Sequence, residues 1–303
     1  DTSLSLGSDY NIFDLIPDHA KKLKINNPII SNGDLEKIKH IDHEDFKACS
    51  INVNYEISKG HNGLEKALDN IVDKVEKKVD TGHNIIILSD RKTSKKYAPI
   101  PILLVCSYVH HSLIKRKKRS KFGIVIESAE PREPHHFSML FGYGASAINP
   151  YMVNEIIEYH HKLGFLNNQK LDESITNFNK AIAKGILKVM NKIGISTLHS
   201  YRGAQIFEAL GLRKKFVSKY FNNTPSRIEG AGLYVLEKEV SARMEYALNS
   251  EKDISSMKTG GDYRWRRDGE AHMLNPFTIS KLQQAVREEK YDTYKAYAEK
   301  INK

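Results

Sequence analysis

Cysteine and tryptophan are scarce in this chain of 303 residues, which contains two cysteines and one tryptophan. Cys49 and Cys106 lie far apart within apolar runs, whereas a disulfide framework or a zinc site requires several cysteines at close spacing. We therefore expect two reduced core thiols. This composition is typical of an intracellular protein, either cytoplasmic or organellar.

Long apolar runs are also missing. No stretch of the sequence approaches about 18 uninterrupted apolar residues, the length that a membrane-spanning helix requires. The first residues, DTSLSLGSDYNIF, have no basic region followed by an apolar core, so they do not form a secretory signal. Because an initiator methionine is lacking too, we expect a piece of a longer chain.

The charge balance is basic, with a formal net charge of +10. Such a charge can indicate a nucleic-acid partner, but most lysines are scattered among Glu and Asp. Only KRKKRSK, residues 115–121, is concentrated, and it follows an apolar helix whose carboxyl end favours cations. We expect this run to be solvated. A basic module that binds nucleic acid through KRKKRSK is our third hypothesis, and it predicts affinity that falls steeply with salt.

The stretch from residue 83 to residue 151 alternates short apolar runs with helical segments. HNIIILSDR and KFGIVIE read as buried strands, and PILLVCSYVHHSLI between them reads as a buried helix that starts at a proline. A short helix, a glycine turn and a third strand follow in HFSMLFGYGASAINPY. This β-α-β-α-β pattern indicates a parallel sheet with both faces covered.

The pattern extends on either side of this stretch. It predicts a short helix beginning near Ser31 or Asn32, a strand over residues 49–57, a helix that ends at Gly82, and a long helix over about residues 172–192 that Gly194 closes. ISTLHS is predicted as a strand, RGAQIFEALGL and KKFVSKYF as short helices, and KLQQAVREEKYDTYKAYAEKINK as a single amphipathic helix. The fold class is therefore α/β, with repeated βα units in a mostly parallel sheet flanked by helices. The spacing is compatible with an open sheet and with a barrel-like arrangement.

Polar residues follow the apolar runs of the central stretch. In an α/β sheet these positions meet at the carboxyl ends of the strands, where sites are usually built. The residues expected along this edge are Asp90, Arg91, Glu127, Arg132, His135 and His136. The carboxylates here could supply acid/base chemistry, but we favour ion pairs that hold the strand-to-helix loops.

Two glycine-containing segments could bind anions. SYRGAQ comes just after a predicted strand. In this segment the guanidinium of Arg202 can bind an anion through two hydrogen bonds, and Gly203 allows the anion to approach the backbone closely. The alternative is an ordinary loop in which Arg202 pairs with a carboxylate such as Glu229. GYGAS lacks the full GxGxxG spacing and is interpreted as a turn that ends a helix.

Paired histidines raise the question of a metal site. Adjacent histidines on a helix point about 100° apart, so His110 with His111, or His135 with His136, offers at most one ligand in a given direction. No HExxH spacing is present. We expect hydrogen-bonding histidines and no metal site.

At these residues the chain resembles a known family. ILSDR, the helix ending in VHH, IVIESAEPREPHHF and GYGASAINPY are similar to the central domain of the glutamate synthase large subunit. GILKVMNKIGISTLHSYRGAQIFEALGL and YFNNTPSRIEGAGL are similar to the later part of that domain, and GDYRWRRDGEAHMLNP resembles the entry into the flavin-binding synthase domain. The resemblance covers nearly the whole chain.

The resemblance implies residues 1–240 as the central domain, with residues 1–48 as an N-terminal packing segment, and residues 241–303 as a linker and the beginning of the synthase domain, without its barrel. The amino-terminal cysteine of the family's amidotransferase has no counterpart, since residue 1 is Asp. We therefore expect no catalytic residue, cofactor or metal in the chain itself. The resemblance assigns FMN and an iron–sulfur cluster to the full-length enzyme.

The function that the resemblance implies is architectural. Glutamate synthase moves ammonia from glutamine to 2-oxoglutarate and reduces the imine to glutamate, and this domain would link the glutaminase and FMN sites and help to form the ammonia channel. Its expected partners are the amidotransferase and synthase domains of the same chain, and a small electron-delivering subunit. Candidate channel or substrate residues are Asp90, Arg91, Glu127, Arg132, His136, Arg202 and Gly203. The alternative is a self-standing α/β enzyme or binding protein that uses such residues on a small anionic substrate.

Overall fold

The computed structural model of the chain describes residues 1–166, 169–249, 260 and 264–302. These residues form two compact units, residues 1–248 and residues 249–303. The strands are β1 (Leu4–Leu6), β2 (Leu23–Ile25), β3 (Ala48–Asn52), β4 (Asn54–Glu56), β5 (Ile85–Ser89), β6 (Tyr97–Pro99), β7 (Gly123–Glu127), β8 (Ala147–Asn149), β9 (Ala209–Leu212) and β10 (Ser226–Ala231). The helices are α1 (Asn32–Lys39), α2 (Gly60–Asp80), α3 (Ile102–Lys115), α4 (Pro134–Gly142), α5 (Tyr151–Lys162), α6 (Leu171–Ile193), α7 (Leu198–Tyr201), α8 (Lys214–Tyr220), α9 (Leu233–Asn249), α10 (Pro276–Glu288) and α11 (Tyr291–Asn302).

The central sheet of the first unit has four parallel strands in the order β3-β5-β7-β8. The α/β class and the mostly parallel sheet flanked by helices are therefore confirmed. The described residues form an open sheet and no closed barrel. The segment before α1 lies against the edge strand β8, where Ile29 forms a parallel bridge with Ile148.

Both faces of this sheet are buried, because its strands are apolar at consecutive positions. Ile86 and Leu88 belong to a large cluster that includes the inward stripe of α2. Ile85 and Ile87 face the opposite way, into a smaller cluster with Leu6 of β1. A strand buried on both sides needs apolar residues on both of its faces, which explains the runs in the sequence.

Most predicted helices are confirmed, together with the signals that start and stop them. Ser31 caps α1, and its Oγ accepts a hydrogen bond from the Asp34 backbone N at 3.1 Å. Gly194 ends α6 in the left-handed conformation, with φ of 82°. The GYGAS segment is a turn after α4, as expected, and Gly144 has φ of 104°.

Four local predictions were wrong. The strand expected over residues 49–57 is two strands, because the chain leaves the parallel sheet after Asn52 and β4 pairs antiparallel with β6. ISTLHS forms the short helix α7, since the Thr197 hydroxyl caps it by accepting from Ser200 N at 3.3 Å. RGAQIFEALGL leads into β9, because Gly203 and Gly211 have positive φ and a continuous helix cannot form.

The fourth error concerns the last helix of the chain. The amphipathic segment was predicted as one helix but forms α10 and α11, because Glu289 adopts a left-handed conformation with φ of 49°. Within this second unit, the Trp265 and Phe277 rings lie 6.5 Å apart. Of the predicted entry into the synthase domain, residues 261–263 lie outside the described residues.

Candidate functional site

The first candidate site is the carboxyl edge of the central sheet, where β5, β7 and β8 end. Asp90 follows β5 and is only 2% exposed. Its carboxylate accepts hydrogen bonds from the Ser128 hydroxyl at 2.6 Å, the Tyr151 hydroxyl at 2.8 Å and the Ala129 backbone N at 3.1 Å. Burial raises the pKa of Asp90. Its donors fix the loop after β7 and the start of α5, and they occupy both carboxylate oxygens.

Glu127 ends β7 and lies at the centre of an ion-pair network on the same edge. This carboxylate is also 2% exposed. It accepts from Arg91 Nε at 2.8 Å and from Lys39 Nζ at 3.0 Å. Arg91 continues the network to Glu155 at 2.9 Å and lies 4.0 Å from the centroid of the Tyr151 ring. The network ties α1 and α5 to the end of β7, which agrees with the ion-pair interpretation.

A cavity of about 390 Å³ lies beside this edge, at the amino ends of α3 and α4. The Glu130 carboxylate lines it and accepts from the Ile102 backbone N at 2.9 Å. His136 Nδ1 accepts from the backbone N of Arg132 at 3.2 Å and of Glu133 at 3.3 Å. Burial raises the pKa of Glu130 and lowers the pKa of His136. Burial therefore disfavours the charged form of both groups that line this cavity, and titratable groups in such surroundings can hold or pass a proton.

The structure separates Arg202 and Gly203 from these residues. Arg202 follows α7, and its Nη1 donates to the Ser146 hydroxyl at 2.7 Å. Ser146 directly precedes β8, so Arg202 lies at the amino edge of the sheet, opposite Asp90 and Glu127. The predicted strand before Arg202 is absent, and Arg202 does not pair with Glu229, which accepts instead from the Lys214 backbone N at 2.9 Å. The alternative interpretation, anion binding by Arg202 and Gly203, stays a prediction. A single site that combines Arg202 with the carboxyl edge is therefore not formed.

Most of the basic run is exposed, as expected, but two of its cations form ion pairs with α2. Arg116 pairs with Asp73 at 2.9 Å and with Glu76, both on α2. Lys118 pairs with Glu76 and with Asp80, each at 2.8 Å. The acidic face of α2 neutralises part of the run, which weakens the hypothesis of a nucleic-acid site. This pairing joins two helices that sequence patterns treat separately.

Arg119, in the same run, is a functional candidate that sequence reasoning missed. Its guanidinium points inward and donates from Nε to His110 Nδ1 at 2.9 Å. Nη1 and Nη2 donate to the carbonyls of Phe122 at 2.7 Å and of Gly144 at 2.8 Å. The one available sequence signal was the position of Arg119 directly before an apolar strand.

The histidines do not form a metal site in the part of the chain that the structure describes. No group of three or more His, Cys, Asp or Glu residues there could hold an ion. His111 Nδ1 is bonded to the Ser107 carbonyl oxygen at 2.9 Å. The His135 ring packs edge-on against Phe207, with the centroids 6.4 Å apart. His111 therefore has the hydrogen-bonding role expected for the histidines, whereas His135 makes a ring-packing contact that was not predicted.

Cofactor chemistry can be compared with the donors that the chain offers. Both cysteines are free, and burial raises the pKa of Cys106 to about 12. Cys49 is half-buried rather than fully in the core. An iron–sulfur cluster takes four thiolate ligands, so the two cysteines do not fit one. No described helix has the length and apolar character to cross a bilayer.

The comparisons with known proteins all indicate the same family. Residues 1–213 match the family described as glutamate synthase central domain. The NADPH glutamate synthase large chain of Bacillus subtilis (strain 168) is 36% identical over 292 residues, which are 96% of this chain and 19% of that protein. The NADH glutamate synthase of Schizosaccharomyces pombe (strain 972 / ATCC 24843) is 34% identical over 97% of this chain and 14% of its own length.

A third relative has a different electron donor in its name. The ferredoxin-dependent glutamate synthase of Pyropia yezoensis is 33% identical over 97% of this chain and 20% of its own length. The chain thus spans a fifth or less of each of these three relatives. Since the family match covers well over half of the sequence, the chain belongs to the glutamate synthase central domain family.

Proposed function

We propose that this chain is the linking domain of a glutamate synthase, the enzyme that makes glutamate from glutamine and 2-oxoglutarate. The observation that carries the proposal is the family match over residues 1–213, in relatives that are five or more times longer. Residues 1–240 are the central domain, and residues 241–303 lead into the synthase domain. The full-length enzyme would carry FMN and an iron–sulfur cluster outside these residues, and a small subunit could deliver electrons.

The arrangement of the carboxyl edge supports a structural role. The carboxylate oxygens of Asp90 are already occupied by donors of the chain itself, and Glu127 is held by two cations. Carboxylates that are already bonded within the chain hold loops in place and leave little capacity to bind a substrate. A rigid edge of this kind suits a domain that holds a glutaminase site and an FMN site in register.

The same edge suits one wall of an ammonia route. Ammonia in bulk water at neutral pH is protonated and loses its nucleophilic lone pair, so a walled passage preserves its reactivity. The residues proposed for this wall are Asp90, Arg91, Glu127, Arg132 and His136. Arg202 and Gly203 lie at the opposite edge of the sheet, and we leave them out of this wall.

The experiment uses the full-length enzyme to which this domain belongs. Glu127→Gln weakens the ion pairs that hold Lys39 and Arg91, so we expect a looser wall. Glutamine hydrolysis should persist while more of its ammonia escapes into solution, so that less glutamate forms per glutamine consumed. Glutamate formation from added ammonium should change little. The measurement is the ratio of free ammonia to glutamate at saturating glutamine.

Glu229→Gln provides the matched control, because Glu229 lies in β10 away from the carboxyl edge. An unchanged ratio in Glu127→Gln, with a normal melting curve, would contradict the role in the wall. The purified chain alone should show no flavin absorbance and no glutamine-dependent reduction of 2-oxoglutarate. Turnover by the chain alone would overturn the linking role and support the self-standing enzyme.

A further inference from the structure

Two arginines with no carboxylate partner lie side by side at the amino edge of the central sheet. All three hydrogen bonds of Arg119 go to neutral acceptors, namely His110 Nδ1 and the carbonyls of Phe122 and Gly144. Arg202 donates from Nη1 to the neutral Ser146 hydroxyl. The two guanidiniums are close enough that Arg202 helps to lower the pKa of Arg119, after the larger effect of burial, to about 10. Both remain cations at neutral pH.

The missing countercharge matters because both guanidiniums are largely withdrawn from solvent. Some more exposed arginines do have carboxylate partners, such as Glu155 for Arg91 and Glu208 for Arg227. Among the described residues neither Arg119 nor Arg202 forms an ion pair, although burial makes an unpaired charge costly. The acid whose charge acts on both is Asp9, and its carboxylate is 47% exposed and paired with Lys22.

Arg202 and His110 each have hydrogen-bond donors without a partner among the described residues. The Nε and Nη2 atoms of Arg202 form the side of the guanidinium that binds carboxylate or phosphate with two parallel hydrogen bonds, and neither has a partner in the described chain. His110 accepts at Nδ1, so its neutral ring carries the hydrogen at Nε2. That Nε2 would lie 3.8 Å from a Cβ added at Gly203. A donor therefore lies next to the residue that follows Arg202.

Two glycines keep this place open. A Cβ at Gly144 would lie 2.2 Å from His110 Nδ1, so only glycine lets the imidazole pack there. Gly203 is exposed and has φ of 76°, a conformation that favours glycine. The absence of a side chain at Gly203 therefore leaves the Nε2 edge of His110 uncovered.

We propose that Arg202, backed by Arg119 and flanked by His110 and Gly203, binds a small oxyanion, either a carboxylate or inorganic phosphate. The anion would accept two hydrogen bonds from the Nε and Nη2 edge of Arg202 and would supply the countercharge that the chain lacks. This site is separate from the carboxyl edge and does not rest on the linking function.

Calorimetric titration of the purified chain tests the site with two probes, inorganic phosphate and succinate, at constant ionic strength set with chloride. At least one of these two oxyanions should bind saturably, at a single site per chain. Arg202→Gln should weaken binding by about ten- to a hundredfold, the effect of losing a charged hydrogen-bonded pair. Arg202→Lys keeps the charge but loses the fork, so it should reduce affinity for succinate more than affinity for phosphate.

Arg227→Gln is the matched control, because it removes one positive charge from an exposed arginine elsewhere. It should leave the affinity unchanged, and an equal loss in this control would reduce the effect to general surface charge and overturn the site. Absence of saturable binding by the unmodified chain would also overturn it. If Arg202→Gln does not fold by circular dichroism, Arg202→Lys decides the result.

Asp9→Asn distinguishes the remaining source of countercharge. If the Asp9 carboxylate turns toward the arginines in solution, anion binding will appear only after this substitution, and the proposal will be wrong. If the proposal is right, Asp9→Asn will bind each oxyanion at least as tightly as the unmodified chain.

Discussion

At the scale of single residues, His110 shows how strongly position changes chemistry. Its neighbour His111 bonds to the carbonyl of its own helix, whereas His110 accepts a hydrogen bond from a buried guanidinium. Burial, followed by the charge of Arg119, lowers the pKa of His110 to about 2. The folded protein therefore keeps this ring neutral at every pH in ordinary use.

This neutrality makes stability depend on pH. The unfolded chain binds a proton at His110 once the pH falls below about 6.5, while the folded chain does not, so the free energy of unfolding decreases. From His110 alone we expect a loss of about 2 kcal/mol between pH 7.5 and pH 5. His110→Asn keeps an acceptor for Arg119 but cannot be protonated, so this part of the loss should disappear. Urea denaturation at both pH values measures the difference.

His40→Asn is the control, because His40 is exposed. This variant should lose as much free energy of unfolding between the two pH values as the unmodified chain does. An equal loss in His110→Asn and in the unmodified chain would show that the depressed pKa of His110 does not contribute to stability.

The sequence located the members of the carboxyl edge but not their partners. Asp90 and Glu127 were predicted from their positions directly after apolar runs, a local signal. The partner Lys39 is 88 positions away from Glu127 and lies on another helix. Arg119 and Arg202 were separated by the pattern and are brought together only by the packing of α3, β8 and the turn after α7. Long-range pairing of this kind has no periodic signal in one sequence.

At the scale of elements, the apolar stripes of α2 and α6 predicted these two long helices correctly, whereas the short elements α7 and β9 were missed. The stripe of α2 includes Leu64, Leu68 and Ile71, and all three are buried as the spacing predicts. By contrast, α7 has four residues and β9 has four, so neither spans enough positions to show a period. Capping by Thr197 and positive φ at Gly211 decide their structure.

Contact between α4 and α6 requires glycine at one position. A Cβ on Gly185 of α6 would lie 2.5 Å from the ring of Pro134, the first residue of α4. Alanine normally favours a helix over glycine by about 1 kcal/mol. At this position we expect alanine to destabilise the protein instead. Gly185→Ala should lower the free energy of unfolding by about 1–3 kcal/mol, because α4 and α6 must move apart. Denaturant titration measures the change.

Gly33→Ala in α1 is the matched control, since the one atom within 4 Å of an added Cβ is Ser31 Oγ at 3.8 Å. Here alanine should raise the free energy of unfolding by up to about 1 kcal/mol. A gain of similar size for both variants would mean that α4 and α6 are not in close contact at Gly185.

At the scale of the whole molecule, the apolar core of the first unit is built from residues of that unit alone. Every member of both hydrophobic clusters lies between Leu4 and Met244. The buried Glu237 of α9 also accepts a hydrogen bond from the Tyr55 hydroxyl at 3.2 Å, so α9 belongs to this core. The first unit therefore holds what a domain needs to fold by itself.

A chain shortened to residues 1–248 should unfold cooperatively. Its melting temperature should stay within about 4 °C of that of the 303-residue chain. For a domain of this size, such a shift corresponds to a change of about 1 kcal/mol in the free energy of unfolding. A chain that ends at residue 231 is the control, because it removes Glu237 and the buried Val240 and should melt much lower. Calorimetry compares the three chains, and a broad transition in the 1–248 chain would contradict its independence.

The order of strands in the central sheet has a consequence for how the protein is made. Because β3, β5, β7 and β8 follow one another both in the sheet and along the chain, none of these four strands inserts between two others that precede it, and only the bridge from Ile29 to Ile148 must wait for β8. A ribosome releases residues at about 5–20 per second, so successive strands emerge on the order of seconds apart. Each new strand can add to the open edge left by the previous strand. The segment that covers Ile85 and Ile87 has already been synthesised by then. The sheet can therefore assemble in the direction of translation.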